Sequence, residues 1–318
     1  MRLQKYLLRL RKLAHDVNGY LMSNDDFAFV EESLTSWLYP VDLEFTLLRE
    51  DLYYSPRDKN GLPVRYYLSV GQQYNPTRIA AYALAHFNRF WKTHDEESRN
   101  QFFKAANWFM RPPDGLWKYT YPWLDLQPPW LSAMAQGEGI SVLVRAWVLS
   151  GEENYLAQAR RALEPFTRSL KDGGVRSILD DGSPFLEEYP THEPSHVLNG
   201  FLFALIGLVD LWRISADEVT VVEMGAFFET LARHIEAWDA GFWSLYDLAY
   251  QKTGKYNLAT VSYHNLHVTQ LTYLGRIMDY APLLRMADRW ANDRRHLLHR
   301  LRAFLGKVRY RVEEPAQK

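Results

Sequence analysis

Residues 132–170, SAMAQGEGISVLVRAWVLSGEENYLAQARRALEPFTRSL, contain two helical patterns separated by the polar link Ser150-Gly151-Glu152. Apolar residues that recur at helical spacing predict an α-helix, and a short polar link lets a second helix fold back on the first. The first helix, 132–150, consists mostly of apolar or small residues, whereas the second, 153–170, is more polar. This stretch therefore predicts a helical hairpin whose first helix lies inside the fold.

The same pairing recurs along the chain at intervals of about 60 residues, which is typical of stacked helical hairpins. The other predicted pairs are 76–93 with 96–110, 196–213 with 217–236, and 263–278 with 281–304. Four hairpins can close on themselves, so the predicted fold is mainly α, an α/α barrel of about four helical hairpins with a small β-rich N-terminal part. The expected domains are an N-terminal helix and short β-rich segment at 1–75, the barrel at 76–304 and a polar C-terminal tail at 305–318.

The N-terminal part contains two different patterns. Residues 1–20 have leucines at helical spacing with basic residues on the other side, which predicts an amphipathic helix that docks on its own domain or on a partner subunit. Further on, aromatic and β-branched residues at 36–45 and 64–70 flank the turn signal Lys59-Asn60-Gly61. These two pieces predict short strands or hairpins.

Composition and charge exclude several classes of protein. The 318 residues include 37 Lys and Arg against 38 Asp and Glu, so a strongly basic nucleic-acid binder is not expected. No apolar run approaches the roughly 20 residues of a membrane-spanning helix. The chain has no cysteine, which excludes disulfides, thiol nucleophiles and thiolate metal sites. Since the start of the chain also has no pattern of a secretory signal, a cytoplasmic location is expected.

Cofactor motifs are not found in the sequence. Neither GxGxxG nor GxxxxGK[ST] occurs, so no nucleotide cofactor is predicted. His264 and His267 could ligate a metal only if carboxylates such as Glu138 or Glu188 joined them, and the surrounding sequence matches no metal signature. The expectation is that the protein uses neither a metal nor another cofactor.

The segments between the hairpins, 117–130, 186–199 and 243–267, are rich in aromatic residues, and each precedes a predicted inner helix. They should therefore meet at one mouth of the barrel, where helix N-termini favour a bound carboxylate. Glu188 and the phenols of Tyr189, Tyr246 and Tyr263 would converge there. Phenols and a carboxylate can supply the base, the acid and the hydrogen-bond donors needed to remove a hydrogen α to a carboxylate. From spacing alone, helix capping by the two adjacent glutamates is an equal alternative.

Several strings resemble the C-terminal catalytic domain of D-glucuronyl C5-epimerases over about residues 107–293. They are WLSAMAQGEGIS at 130–141, LVRA at 143–146, EEYPT at 187–191, VLNGF at 197–201, YDL at 246–248, and NLA at 257–259 with YH at 263–264. The resemblance implies an α/α barrel behind a β-rich part. It also implies an enzyme that needs no cofactor and inverts C5 of D-glucuronic acid in a heparosan-like polysaccharide, giving L-iduronic acid.

The resemblance assigns roles to particular residues. Glu188, Tyr189, Tyr246 and Tyr263 would be catalytic, with Glu188 and Tyr263 exchanging protons on opposite faces of C5. Tyr189 and Tyr246 would stabilise charge on the substrate carboxylate. Two further residues, Asn199 and Tyr74, would lie along the substrate cleft.

Two departures from the family pattern limit the comparison. Animal members typically have an arginine just after the YDL string, where this chain has Ala249, so a contact of that cation with the uronate carboxylate is either absent or supplied by another residue. The candidates for it are Arg78, Lys118, Arg176 and His264. Animal enzymes also place a β-domain where this chain has only the short segment 90–101. The substrate length preference and the dimer contacts of the animal enzymes therefore cannot be assigned to this chain. A homodimer is one option that the sequence leaves open.

Other functions stay open at this point. A polysaccharide lyase removes the same C5 hydrogen, a hydrolase could pair Glu188 with Asp247, and a non-catalytic module could bind glycans through its aromatic residues alone. The sequence leaves open the polymer, its N-acetyl or N-sulfo state and the reversibility of the reaction.

The C-terminal helix is predicted to have a basic face that is exposed to solvent. The alternative is that this face binds a polyanion along its length. Its basic residues are Arg285, Arg289, Arg294, Arg295, Arg300 and Arg302.

Overall fold

The computed structural model describes residues 17, 19–21, 26–215 and 218–314. The predicted N-terminal helix at 1–20 therefore lies outside the described residues, apart from 17, 19 and 20, which are helical. Of these, Tyr20 packs edge-on against Phe304 near the C-terminal end, with ring centroids 5.3 Å apart.

The four predicted helix pairs are present in the described ranges. They are α1 Pro76–Thr93 with α2 Glu96–Phe109, α3 Ala133–Ser150 with α4 Glu153–Arg161, α5 Leu198–Trp212 with α6 Glu218–His234, and α7 Val261–Ile277 with α8 Ala281–Arg295. Three inner helices begin at capping side chains, because Asn75, Ser132 and Thr260 each accept a backbone N–H three residues further on.

The inner helices α1, α3, α5 and α7 pack side by side in chain order, and the second helix of each pair covers its partner from outside. Every residue of α5 from Leu198 to Leu211 is buried, as expected for an inner helix. The N-terminal segment completes the ring, because the short helix Glu44–Leu47 packs on α1 and the helical turn Glu31–Leu34 packs on α7. The mainly helical α/α barrel is thus confirmed.

Glycines allow α3 and α5 to approach closely. A Cβ atom at Gly137 would lie 2.5 Å from the Cα of Ala204, and one at Gly207 would lie 2.3 Å from the carbonyl oxygen of Gly137. Real Cβ atoms do not come so near, so these two positions require glycine for the helices to keep their contact.

Two outer helices end earlier than predicted. The helix expected at 153–170 stops at Arg161 and is followed by a separate turn, Glu164–Thr167, that contains Pro165. The helix expected at 281–304 breaks at His296, whose backbone is extended, and a new helix, α9, spans Leu297–Glu313. Residues 305–313, predicted as part of a polar tail, are therefore helical. Gly306 of α9 lies against Leu258, so this charged sequence also packs on the barrel.

The N-terminal segment has fewer strands than predicted. A hairpin forms from β1 Arg65–Tyr67 and β2 Gly71–Gln73, in agreement with the pattern at 64–70. The strand expected at 36–45 is wrong: this piece contributes one isolated bridge, between Phe29 and Val41, and then enters the helix Glu44–Leu47. A second hairpin, β3 Arg176–Ile178 with β4 Pro184–Leu186, leads directly into the EEYPT string. None of the described helices is long and apolar enough to cross a membrane.

Candidate active site

Glu187 and Glu188 follow β4 and lie between the first turns of two inner helices. The N–H of Ala133, at the start of α3, donates to the carbonyl oxygen of Glu187 at 2.9 Å. Glu188 lies against the first turn of α5, where a Cβ at Gly200 would come within 2.5 Å of the Glu188 Cβ. The missing side chain of Gly200 makes room for this carboxylate at a helix N-terminus, whose dipole favours negative charge.

The two adjacent glutamates have different surroundings. Glu187 accepts hydrogen bonds from the hydroxyl of Ser177 at 2.5 Å and from the Nδ1 of His196 at 2.6 Å. Its other oxygen accepts the backbone N–H of His196 at 3.2 Å. These contacts hold the loop before α5 in place. The carboxylate of Glu187 therefore has a structural role, whereas the carboxyl group of Glu188 faces the phenols.

Glu188 is only 7% exposed, and its Oε2 lies 3.5 Å from the amide nitrogen of Asn199. Burial raises the pKa of Glu188 to about 7, against the opposing hydrogen bonds from Tyr189 and Asn199. Near neutral pH this carboxyl can therefore either accept or donate a proton, as a general acid–base group requires.

Glu138 of α3 lies near Glu188 and is also buried. Burial raises its pKa well above the usual range, and the charge of Glu188 adds to the effect. Its Oε2 has no hydrogen-bond partner among the described residues. Burial beside a second carboxyl group therefore favours the protonated form of Glu138.

The three predicted tyrosines come together around Glu188. The rings of Tyr246 and Tyr263 meet edge to face, with centroids 5.2 Å apart. Burial raises the pKa of Tyr189, Tyr246 and Tyr263, and the charge of Glu188 raises each of them further. The pKa of Tyr263 rises to about 12, although 39% of this residue is exposed at the opening of the cleft. All three phenols are consequently neutral donors near pH 7.

Two backbone hydrogen bonds, one to each neighbouring segment, hold Tyr246 in place. Its carbonyl oxygen accepts the N–H of Leu198 at 3.0 Å, and its N–H donates to the carbonyl oxygen of Asn257 at 2.7 Å. The side chain of Asn257 then donates to the Oδ2 of Asp247 at 2.6 Å. From α9, the Nζ of Lys307 donates to the Oδ1 of Asn257 at 2.6 Å and lies 5.6 Å from the centroid of the Tyr246 ring.

Two predicted cleft residues lie beside the N-terminal segment. The hydroxyl of Tyr74 donates to the Oδ2 of Asp58 at 2.7 Å, and its ring contacts Trp108. Arg78 donates to the carbonyl oxygen of Ser55 at 3.0 Å, and burial lowers its pKa to about 10. Of the six predicted substrate-binding residues, Asn199 contacts the glutamate of the cluster.

Two other candidate cations already have acidic partners. Lys118 pairs with Asp114 at 3.1 Å on the exposed surface, and Arg176 pairs with Glu223 of the outer helix α6 at 2.8 Å. Arg176 also lies over the ring of Phe227, on the same helix. These contacts direct Arg176 to the outer layer, whereas Lys118 forms an exposed ion pair.

His264 lies in the core, and this corrects the expectation that it faces the substrate as a cation. It is fully buried, stacks on Trp243 with centroids 3.7 Å apart, and donates from Nε2 to the carbonyl oxygen of Trp290 at 2.9 Å. Burial lowers its pKa to about 3, so the ring is neutral. Its Nδ1 and that of His267 share the hydroxyl of Ser244. Among the described residues, no three His, Cys, Asp or Glu side chains are placed to hold a metal ion.

Arg65, which no sequence pattern indicated, lies on β1 at the edge of a cavity of about 380 Å³. The hairpin residues 65–70 and the loop 121–124 line this cavity. The positive charge of Arg65 opposes the rise in the pKa of Tyr263 that burial causes, so the two side chains lie close enough to interact electrostatically. No carboxylate pairs with Arg65 in the described part of the chain. Nothing local in the sequence marks this arginine, because only the folding of the hairpin over the barrel mouth brings it there.

Aromatic side chains connect this cavity to the cluster. The hydroxyls of Tyr67 and Tyr121 lie 2.5 Å apart, and the Tyr121 ring meets Trp130 edge to face. Trp130 in turn lies 6.3 Å from the ring of Tyr189. The wall of the cavity is therefore continuous with the tyrosines around Glu188.

Comparison with known proteins matches a family and several curated relatives, two of which follow. The family described as "D-glucuronyl C5-epimerase C-terminus" matches residues 113–292. A D-glucuronyl C5-epimerase of Caenorhabditis elegans is 36% identical over 216 residues, 61% of this chain and 35% of that protein. A protein of Methanocaldococcus jannaschii described as uncharacterized is 27% identical over 166 residues, 50% of this chain and 51% of that protein. The chain thus spans about a third to a half of the length of these relatives.

Two solved structures are more distant. One is described as UGL with dGlcA-Glc-Rha-Glc and has a TM-score of 0.48 at 16% identity, over 67% of this chain and 62% of that one. The other is a polysaccharide lyase with a TM-score of 0.46 at 12% identity, over 87% of this chain and 86% of that one.

Proposed function

Because the chain belongs to the family of D-glucuronyl C5-epimerase C-terminal domains, we propose that it is an epimerase acting on D-glucuronic acid residues of a polysaccharide. One observation carries the proposal: the carboxyl of Glu188 and the phenols of Tyr189, Tyr246 and Tyr263 lie together at the barrel mouth. Their protonation suits proton transfer at carbon, because the carboxyl titrates near pH 7 while the phenols stay neutral.

The reaction follows from these protonation states. Glu188 in its ionised form takes the proton from C5, and the electron pair of the broken C–H bond spreads into the uronate carboxylate. Tyr189 and Tyr246 donate hydrogen bonds to that carboxylate, whose negative charge has grown. Tyr263 then gives its phenolic proton to the opposite face of C5, which inverts the centre. A proton from water returns to Tyr263, and Glu188 releases its own to water, so solvent hydrogen enters the product.

The direct test is the incorporation of deuterium at C5 when a glucuronate polymer such as heparosan is incubated in deuterated water. NMR should detect exchange with the unchanged protein. The variant Tyr263→Phe should lose about 10²–10⁴-fold in the rate at which the C5-inverted product forms, because it cannot give a proton to the second face. Tyr280→Phe is the matched control, since Tyr280 is 38% exposed but lies at the start of α8. Formation of the C5-inverted product by Tyr263→Phe at the rate of the unchanged protein would overturn the assigned role.

The same assay separates the alternatives. A lyase would eliminate the 4-linked sugar after C5 deprotonation and accumulate an unsaturated uronate that absorbs ultraviolet light. A hydrolase that used Glu188 with Asp247 would release reducing ends. A glycan-binding module would bind the polymer tightly with no deuterium uptake. Each of these outcomes would replace the epimerase proposal.

We further propose that the cavity beside Arg65 binds an anionic sugar of the polymer next to the reacting residue. Its aromatic walls suit a sugar ring, and the guanidinium has no acidic partner among the described residues. Arg65→Gln should raise KM about 10-fold or more and change kcat less, because a charge-assisted hydrogen bond outside the reacting centre is lost. Arg99→Gln, on α2, is the control. An unchanged KM for Arg65→Gln would exclude this subsite.

The heparosan-like identity of the polymer, a cytoplasmic location, a homodimer and the lack of a nucleic-acid partner stay predictions.

A further inference from the structure

Lys307 of α9 lies beside a tyrosine of the cluster, although it is far from it in sequence. Its Nζ is 5.6 Å from the ring centroid of Tyr246 and 5.6 Å from that of Tyr310. The side chain is half-buried, and no carboxylate lies within ion-pair distance of it among the described residues. A positive charge is thus held against the face of the Tyr246 ring.

A short chain of hydrogen bonds fixes this ammonium. Lys307 donates to the Oδ1 of Asn257 at 2.6 Å, and the amide nitrogen of Asn257 donates to Asp247 at 2.6 Å. The backbone carbonyl of the same asparagine accepts the N–H of Tyr246 at 2.7 Å. Asn257 therefore connects Lys307 to the segment that carries Tyr246, so neither group can move without disturbing the other.

We propose that Lys307 is a positioning residue that holds the Tyr246 ring in place and stabilises negative charge on its phenol during proton transfer at C5. This inference rests on the epimerase function proposed above. A cation over an aromatic face is attracted by the negative charge of the π electrons. The attraction grows when the phenol shares its proton with an anion, because the ring then carries negative charge. Lys307 would therefore act more strongly in the transition state than in the bound substrate.

Residues beyond 292 lie outside the segment that matches the family, so Lys307 reaches the cluster from a part of the chain that the family match does not cover. Ala249, which supplies no cation after the YDL string, precedes the short helix Tyr250–Thr253. The ammonium of Lys307 reaches the same Tyr246-Asp247 segment from α9.

The test compares Lys307→Met, Lys307→Gln and Lys307→Arg in the deuterium-exchange assay. Lys307→Met should lower kcat about 10-fold and leave KM within about a factor of three, since transition-state stabilisation is lost and ground-state binding is not. Lys307→Gln, which keeps a hydrogen-bond donor without the charge, should lose as much. Lys307→Arg, which restores the charge, should recover most of kcat. Lys252→Met is the control, because Lys252 is an exposed lysine in the helix Tyr250–Thr253.

The pH profile gives a readout that a structural role would not move. Burial, with a smaller contribution from Arg311, lowers the pKa of Lys307 to about 8, while the charge of Asp247 opposes this. The other groups that face it are Tyr246 and Tyr310. The unchanged enzyme should lose kcat as the pH rises through about 8, and Lys307→Met should lack this step.

The outcomes distinguish the two proposals. No exchange by the unchanged protein overturns the epimerase function, and this inference with it. Exchange by the unchanged protein together with an unaltered kcat in both Lys307→Met and Lys307→Gln overturns the inference alone. A rise in KM at constant kcat also overturns it, because Lys307 would then bind substrate directly.

Discussion

Replacing Glu188 by glutamine should abolish C5 exchange and, at the same time, stabilise the fold above pH 7. The loss of a group that moves a proton costs about 10²–10⁴-fold in rate. Glutamine cannot accept the C5 proton, while its size and its contact with Asn199 are nearly those of the original residue. The two effects have the same origin, namely the burial of a carboxyl group that must ionise to work.

The stability gain follows from the raised pKa of Glu188, which is about 7 in the folded protein against an ordinary value of 4.5. Below pH 4.5 the carboxyl is protonated in both the folded and unfolded states and contributes no pH-dependent difference. Between pH 4.5 and pH 7 this carboxyl is ionised in the unfolded chain but still protonated in the folded protein. The free energy of unfolding therefore falls by about 1.4 kcal/mol for each unit by which the pH rises. The total penalty above pH 7 is about 3 kcal/mol, and the glutamine variant lacks it.

Thermal or urea unfolding at pH 4 and pH 8 measures this difference. Glu188→Gln should exceed the unchanged protein in stability at the higher pH only. Glu187→Gln is the matched control, because Glu187 anchors Ser177 and His196 and its replacement should destabilise the protein. If Glu188→Gln kept exchange within about tenfold of the unchanged protein, its assignment as the base would be wrong.

Removing the carboxylate of Asp210 should cost about 3–5 kcal/mol of stability, because it leaves a buried guanidinium without its counter-charge. Arg145 and Asp210 have no exposed side-chain surface, and the Nη1 of Arg145 lies 2.5 Å from the Oδ2 of Asp210. Arg145 also donates to the carbonyl oxygens of Ser141 and Leu38 and lies over the ring of Tyr39. One side chain of α3 thereby joins α5 and the N-terminal segment.

Urea unfolding of Asp210→Ala measures the loss. The double variant Arg145→Met with Asp210→Leu should recover most of the stability, since apolar residues of similar size can replace a buried ion pair. For comparison, Glu229→Gln breaks the exposed pair of Glu229 with Arg233 within α6 and should cost less than about 1 kcal/mol. A loss below about 1 kcal/mol for Asp210→Ala would show that the pair does not hold the barrel together.

The helical part of the fold could be predicted because its signal is local. Apolar periodicity, the polar links and the caps at Asn75, Ser132 and Thr260 are all properties of neighbouring residues. The pattern failed where local signals were ambiguous. Residues 305–313 are highly charged, yet they form a helix because one side of α9 packs on the barrel. The aromatic and β-branched piece at 36–45 does not form a strand hairpin, since among the described residues it pairs only through the bridge of Val41 with Phe29.

The candidate site, like the fold, was predictable from the sequence only in part. The motifs EEYPT, YDL and YH identify Glu188 and the three tyrosines, and the structure places these four side chains around one point. The sequence could not show which glutamate is anchored by Ser177 and His196 and which faces the phenols. It also could not show that His264 is neutral in the core, because that depends on Trp243 stacked against it.

The sequence by itself determined the paired helices, the side of each pair that lies inside, and the acid and phenols that the segments between hairpins carry to the mouth. These features depend on residue types a few positions apart. Only the tertiary structure decided the charges around the site, since Arg65 comes from the N-terminal hairpin and Lys307 from the C-terminal helix. Electrostatic effects act through space, so residues about 240 positions apart along the chain control the same cluster.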